Sequence, residues 1–159
     1  VEAALTGHLV LTSLHSKDSA AAITRLMDMG IEPFLIGSSI TCSVAQRLVR
    51  STCPKCLEPY EPEPAALARL NLPPDVTYRR GRGCEYCAKT GFRGRLGIYE
   101  VLDITSTVRR MILNGNHASE IREAAEREGM VSLRNDARAK VLQNLTTVEE
   151  VIRVTADSM

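Results

Sequence analysis

Two Cys-x-x-Cys pairs, Cys53-Pro54-Lys55-Cys56 and Cys84-Glu85-Tyr86-Cys87, constrain this chain more than any other feature. Each pair is a turn short enough to put both sulfurs on one side. Two such pairs brought together supply four thiolates at the corners of a tetrahedron, the arrangement that a structural Zn²⁺ takes. The 27 residues between the pairs exceed the usual double-knuckle spacing, but loop-closure entropy grows only logarithmically with length. One structural zinc is expected, with Cys53, Cys56, Cys84 and Cys87 as its ligands. The same spacing also allows an iron site of the rubredoxin kind, two disulfides or a redox-active pair. Iron is the nearest of these, because Cys-Pro-x-Cys suits an Fe–S₄ knuckle. With protein sulfur at all four positions, no place is left for a reacting water, so the metal is structural. Zinc contributes roughly 10–16 kcal/mol of apparent binding free energy in small peptides, more than a proline-rich insert with few large apolar residues can gain by burial.

The remaining composition narrows the class. A fifth cysteine, Cys42, is left over, and an odd count without a secretion signal favours a reducing compartment, the cytoplasm by default. A net charge of +1 gives no reason to expect a general nucleic-acid or membrane binder. Trp is absent, with two Phe and four Tyr, so platforms for stacking bases are scarce. No run approaches the ~20 apolar residues that span a bilayer. The chain opens on Val1 without an initiator Met and enters a strand-like segment almost at once, as expected of a piece of a larger protein.

Along the chain the pattern is α/β. Residues 1–5 read as a helix end closed by Thr6-Gly7. The apolar run His8 to Leu14 reads as a strand buried on both faces of a parallel sheet. Ser16 or Asp18 then caps an amphipathic helix carrying Ala20, Ala21, Ile23, Leu26 and Met27, which Gly30 ends. Pro33 starts another helix, and a strand follows after an ambiguous stretch near Thr41. Five prolines between 57 and 80 make the metal insert an extended excursion with one short helix near Ala65 to Leu70. Phe92 to Leu102 is a strand or hairpin leaving the knot. Four short amphipathic helices complete the chain as a small bundle, the last capped by Thr146-x-x-Glu149. The expected division is 1–50 for the α/β part, 51–102 for the metal subdomain and 103–159 for the helical part.

Candidate chemistry outside the cysteines is sparse. His15 stands where the first strand would end, the place at which open α/β sheets bind ligands; the plain alternative is a hydrogen-bonded histidine at a strand end. His8, at the strand's start, reads as structural, and His117 as a helix-start residue. Arg79, Arg80, Arg82, Lys89, Arg93 and Arg95 surround the second cysteine pair. They raise the alternative of a freestanding zinc ribbon that grips nucleic acid, although Glu85 and Glu100 nearby and the few aromatics favour a solvated face, and no nucleic-acid partner is expected. Gly91, Gly94 and Gly97 suit tight turns beside the knot. No Gly-x-x-x-x-Gly-Lys-[Ser/Thr] motif occurs, so these residues alone are expected not to hydrolyse a nucleotide.

Several stretches together carry a family likeness. Thr6-Gly7-His8-Leu9-Val10-Leu11-Thr12-Ser13-Leu14-His15-Ser16-Lys17-Asp18 resembles the histidine box of the secretion ATPases, the superfamily of type II secretion and type IV pilus motors. Arg25-Leu26-x-Asp28-Met29-Gly30-Ile31-Glu32-Pro33-Phe34 and Ala45-Gln46-Arg47-Leu48-Val49-Arg50-x-x-Cys53-Pro54-x-Cys56 are similar to the segments that follow it. Cys84-x-x-Cys87-x-x-Thr90-Gly91-x-Arg93-Gly94-Arg95-x-Gly97-Ile98-Tyr99-Glu100 resembles the second knuckle and exit strand. The tetracysteine points to the secretion and pilus-assembly members rather than to retraction motors. The resemblance implies the C-terminal part of a RecA-like P-loop ATPase core, with a zinc subdomain and a helical C-terminal subdomain. It implies a cytoplasmic homo-hexamer, peripheral to the inner membrane, that docks on a platform protein and other components of the machinery. ATP and Mg²⁺ would be bound by the intact protein, whose Walker A and B segments would precede Val1. His15, and with it His8, would lie near the γ-phosphate, and Gln46 and Arg47 would line the nucleotide pocket or a subunit contact.

Overall fold

The computed structural model describes residues 1–156. They group into two compact units, each built from two separate segments. The first takes Val1–Ala45 and Glu100–Ser132; the second takes Gln46–Tyr99 and the chain from Leu133 onward. The architecture is mixed α/β, as expected.

The first unit holds α1 (Glu2–Leu5), α2 (Ser19–Asp28), α3 (Pro33–Ser39), α5 (Ser106–Leu113) and α6 (Ala118–Arg127). Asp18 caps α2, its Oδ1 accepting from the Ala21 N–H at 2.8 Å, and the helix gives way to Gly30 at φ +85°. Pro33 occupies the first turn of α3, where its missing N–H costs nothing. Thr105 caps α5 by accepting from the Val108 N–H at 3.2 Å. The apolar stripes of these helices meet in one core of Ala20, Ile23, Ile36, Leu102, Ile104, Val108, Ile112, Ile121 and Ala125. Full burial of each branched side chain contributes about 1.5–3 kcal/mol. Glu100 is buried in this unit and accepts from the Ser19 N–H at 3.0 Å and from the Ser19 hydroxyl at 2.5 Å, which fixes the start of α2.

The run from His8 to Leu14 is not a strand here. Leu9 and Leu11 are each 89% exposed, and no strand among the described residues lies beside them. A strand exists through its ladder, so a lone extended run gives its backbone groups to water instead. The parallel sheet read from this run is therefore absent: the described strands form two two-stranded sheets, β1 (Cys42–Thr52) with β4 (Phe92–Asp103), and β2 (Leu57–Tyr60) with β3 (Tyr78–Gly81). Both β1 and β4 run from one unit into the other.

The second unit contains the metal insert, α7 (Leu133–Leu142) and α8 (Val148–Thr155). β2 and β3 pair antiparallel, Leu57 opposite Gly81 and Tyr60 opposite Tyr78. Between them the proline-rich excursion makes one short helix, α4 (Pro64–Leu70), with Leu67 and Leu70 buried and Asn71 ending it at φ 52°. The turn between α7 and α8 is stitched to the strands. The Thr52 N–H donates to Leu145 O at 3.0 Å and its hydroxyl to Asn144 O at 2.6 Å. The Thr146 hydroxyl donates to Arg50 O at 2.8 Å, and the Arg79 N–H to Asn144 Oδ1 at 2.9 Å.

Two expectations for the C-terminal helices change. All four form, but α5 and α6 build the first unit while α7 and α8 build the second, so there is no single bundle. An amphipathic stripe states that a face must be covered, not by which neighbour. The cap of α8 is Thr147, which accepts from the Glu150 N–H at 3.3 Å, one residue later than the Thr146-x-x-Glu149 box. Thr146 is unsuited to the cap because its hydroxyl already serves the Arg50 carbonyl.

Candidate metal centre

The four cysteines of the two pairs converge in the second unit, and their sulfurs all lie within 4.8 Å of one another. Cys53 and Cys84 Sγ are 3.9 Å apart, Cys56 and Cys87 3.9 Å, and Cys84 and Cys87 3.8 Å. A tetrahedron of sulfurs about 2.3 Å from its centre has edges of about 3.8 Å, so the spacing is that of one four-coordinate M–S₄ site. A disulfide needs about 2.04 Å, which removes the two-disulfide alternative for this arrangement; all five cysteines are free.

The knuckles owe their shape to local backbone rules. Ala88 and Lys89 follow the second pair with φ 49° and 62°. Two successive left-handed residues curl the chain so that the Lys89 N–H returns to Cys84 O at 2.8 Å. Backbone N–H groups then aim at sulfur: Gly83 at Cys56 (3.3 Å), and Cys84 and Gly91 at Cys87 (3.2 and 3.3 Å). The N–H donors of Cys84 and Gly91 stabilise the charged form and lower the Cys87 thiol to about 6. At Cys56, burial dominates and pushes the thiol up to about 12. Four sulfurs this close, three of them on buried residues, can all ionise only beside a cation, and a divalent metal supplies that charge.

The two halves of the knot are locked at Gly81 and Gly91. A Cβ on Gly81 would stand 2.0 Å from Gly91 O, and one on Gly91 would stand 2.3 Å from Gly81 O. The same Gly91 carbonyl accepts from the Cys53 N–H at 2.9 Å, and Cys56 O accepts from the Arg82 N–H at 2.8 Å. Gly91 suits a tight turn by its sequence position, but the close backbone approach is its larger demand. Gly81 carried no signal beyond its place three residues before Cys84.

Several basic residues near the knot are engaged locally. Arg93 stacks on the Tyr86 ring at 4.7 Å and donates to Tyr86 O at 3.0 Å, with Lys55 over the same ring at 4.2 Å. Lys89 pairs with Glu85 at 2.6 Å, and Arg80 lies over Tyr60 at 5.3 Å. A second polar cluster escaped sequence reading. The Glu150 carboxylate, with no side-chain exposure, accepts from Arg50 N (2.9 Å), Nε (3.0 Å) and Nη2 (2.7 Å), and from Arg153 Nε (3.0 Å) and Nη2 (2.7 Å). Burial pushes this carboxyl up, but the hydrogen bonds from Arg153 and Arg50 outweigh it and bring it down to about 2.

The other candidate residues stand apart from the sulfurs in chemistry. His8 and His15 are exposed on the extended run of the first unit; His8 Nδ1 lies 3.0 Å from Thr6 Oγ1 and 3.2 Å from Ala3 O. Gln46 and Arg47 are adjacent on β1, so their side chains leave opposite faces of the strand. The Gln46 amide reaches Tyr99 Oη at 3.4 Å, and Arg47 Nη1 donates to Gln46 O at 2.9 Å.

Residues 1–153 match the family model described as "Type II/IV secretion system protein". Type II secretion system protein E of Pseudomonas aeruginosa is 49% identical over 159 residues, covering 99% of this chain and 32% of that protein. The type IV pilus assembly ATPase PilB of Thermus thermophilus is 45% identical, over 98% of this chain and 18% of its own length. PilB of Myxococcus xanthus is 43% identical, over 98% of this chain and 28% of its own length. The chain thus spans a third or less of each of these relatives.

Proposed function

Because the chain belongs to the type II/IV secretion system protein family, we propose that it forms the C-terminal part of a hexameric motor ATPase driving type II protein secretion or type IV pilus assembly. The observation that carries this reading is the family match across residues 1–153. Relatives of both kinds, at 49% and 45% identity, leave the proposal spanning secretion and pilus assembly alike.

In this reading residues 1–50 complete a RecA-like core and 51–102 form a zinc subdomain, while the helices after residue 103 are shared between the two units, α5 and α6 with the first and α7 and α8 with the second. The exposed run around Leu9 and Leu11 becomes a buried strand beside strands supplied by the rest of the protein, which accounts for apolar side chains left in water here. Nucleotide and Mg²⁺ are bound in the intact protein by P-loop elements that these 159 residues lack. His15, with His8, then stands at the γ-phosphate side of the site, where a polar group orients the attacking water or stabilises charge; phosphoryl transfer asks for little else. Gln46 and Arg47 serve the nucleotide pocket or the contact with a neighbouring protomer. The fragment alone is inactive. The assembled motor sits on the cytoplasmic face of the inner membrane against a platform protein.

The four sulfurs would hold a structural Zn²⁺. Zinc closes the insert without an open coordination position, so it supplies rigidity rather than a reacting water. The ATPase reading is tested in the full-length protein with His15→Ala. The expected result is ATP hydrolysis reduced at least about tenfold with nucleotide binding retained. Unchanged turnover would remove His15 from the site.

A further inference from the structure

The four cysteines differ in how well they are covered. Cys53, Cys56 and Cys87 are 0%, 8% and 3% exposed, whereas Cys84 is partly open to solvent. The Cys56 and Cys87 sulfurs are further held by backbone N–H groups at 3.2–3.3 Å. Cys53 is anchored by its own N–H to Gly91 O at 2.9 Å. A metal-bound thiolate remains nucleophilic, and which one reacts is decided by access.

We propose that Cys84 is a modification site at which the metal centre opens: a hydroperoxide oxidises Cys84 first, and a Cys84–Cys87 disulfide then expels the metal. This rests on the reading of the four sulfurs as a metal centre. In the first step Cys84 Sγ attacks the outer oxygen of the hydroperoxide. The O–O bond breaks, an S–O bond forms and the alkoxide takes a proton to leave as the alcohol. In the second, Cys87 Sγ attacks the sulfenic sulfur, the S–S bond forms and hydroxide leaves as water after protonation. Two thiolates lose two electrons in all, and one hydroperoxide gains them. The metal keeps only Cys53 and Cys56 and dissociates.

Cys87 is the partner because it stands 3.8 Å away and three residues along the same turn, Glu85–Cys87 being a single turn of 3₁₀ helix. Side-chain rotation within that turn brings the two sulfurs together. Cys53, at 3.9 Å, belongs to the other knuckle, and joining it would pull two backbone-paired segments against each other.

The test uses the metal-loaded protein. Metal per chain is measured first, then tert-butyl hydroperoxide is added, released metal is followed with a chromogenic chelator, and disulfides are located by peptide mass mapping. In parallel, limiting iodoacetamide labels the untreated protein. One metal per chain, release that tracks a Cys84–Cys87 linkage, and labelling of Cys84 at least about fivefold faster than the other three would support the proposal. First labelling at Cys53 or Cys56, or release accompanied by a Cys53–Cys56 or Cys53–Cys84 linkage, would overturn the gate while leaving the centre standing. Absence of metal at the outset overturns the centre and the gate together.

Discussion

Glu150→Gln removes one negative charge from the most enclosed polar cluster of the second unit and leaves its shape almost unchanged. The carboxyl takes up its proton at about 2 in the folded chain, against an ordinary value of 4.5. That difference sets a ceiling of about 3 kcal/mol on its pH-linked contribution to stability. The guanidinium partners are half exposed, Arg50 at 48% and Arg153 at 60%, so solvent screens part of this. The amide keeps some hydrogen bonds but turns an NH₂ toward one of two guanidinium groups. The expected loss is about 2 kcal/mol at pH 7. Urea titration followed by far-UV circular dichroism measures it, α7 and α8 providing signal within this unit. The folded carboxyl binds its proton less readily than the unfolded one, so the stabilisation is complete above about pH 4.5. It fades as the pH falls toward 2, and the gap between wild type and variant closes over that interval. A loss below about 0.5 kcal/mol at pH 7, or a gap that does not narrow in acid, would refute the reasoning.

Gly81→Ala places a methyl group 2.0 Å from a backbone carbonyl. It should cost more than about 2 kcal/mol and weaken metal retention in chelator competition. Gly94→Ala, at φ +77° with nothing within 4 Å of the added Cβ, should cost only about 1 kcal/mol and leave metal retention unchanged. Ile23→Ala empties part of the separate core of the first unit and should cost about 2–5 kcal/mol in denaturant titration without altering metal content. Removing the metal with a strong chelator should melt the Leu57–Gly81 insert, seen as faster amide exchange across β2 and β3, while the core around Ile23 keeps its protection.

Features that depend on neighbours along the chain were legible in the sequence, and those that depend on distant partners were not. Asp18, Pro33 and Gly30 act within one turn of their own helix, so residue type and position suffice. The cysteine spacing likewise prescribes two knuckles, and four thiolates have few other reasons to share a chain. The run at Leu9 and Leu11 fails as a strand because its pattern states what it can bury, while burial needs a partner strand that the described residues do not provide. Glu150 and Arg50 are 100 residues apart, and nothing in the spacing of either announces the other. The misplaced cap of α8 has the same cause, since the use of Thr146 by Arg50 is invisible to a local pattern. Gln46 and Arg47 carry no signal apart from family likeness and His15 only its place at an expected strand end, and their chemistry depends on the nucleotide-binding elements proposed above.

In the function proposed above, four cysteine sulfurs hold one zinc ion as the rigid element of the second unit. X-ray absorption spectroscopy at the zinc edge, on protein purified without added metal, tests it most directly. One zinc per chain with four sulfur neighbours at about 2.3 Å and no oxygen or nitrogen ligand is expected. An iron edge in place of zinc, fewer than four sulfurs, or no bound metal would contradict it.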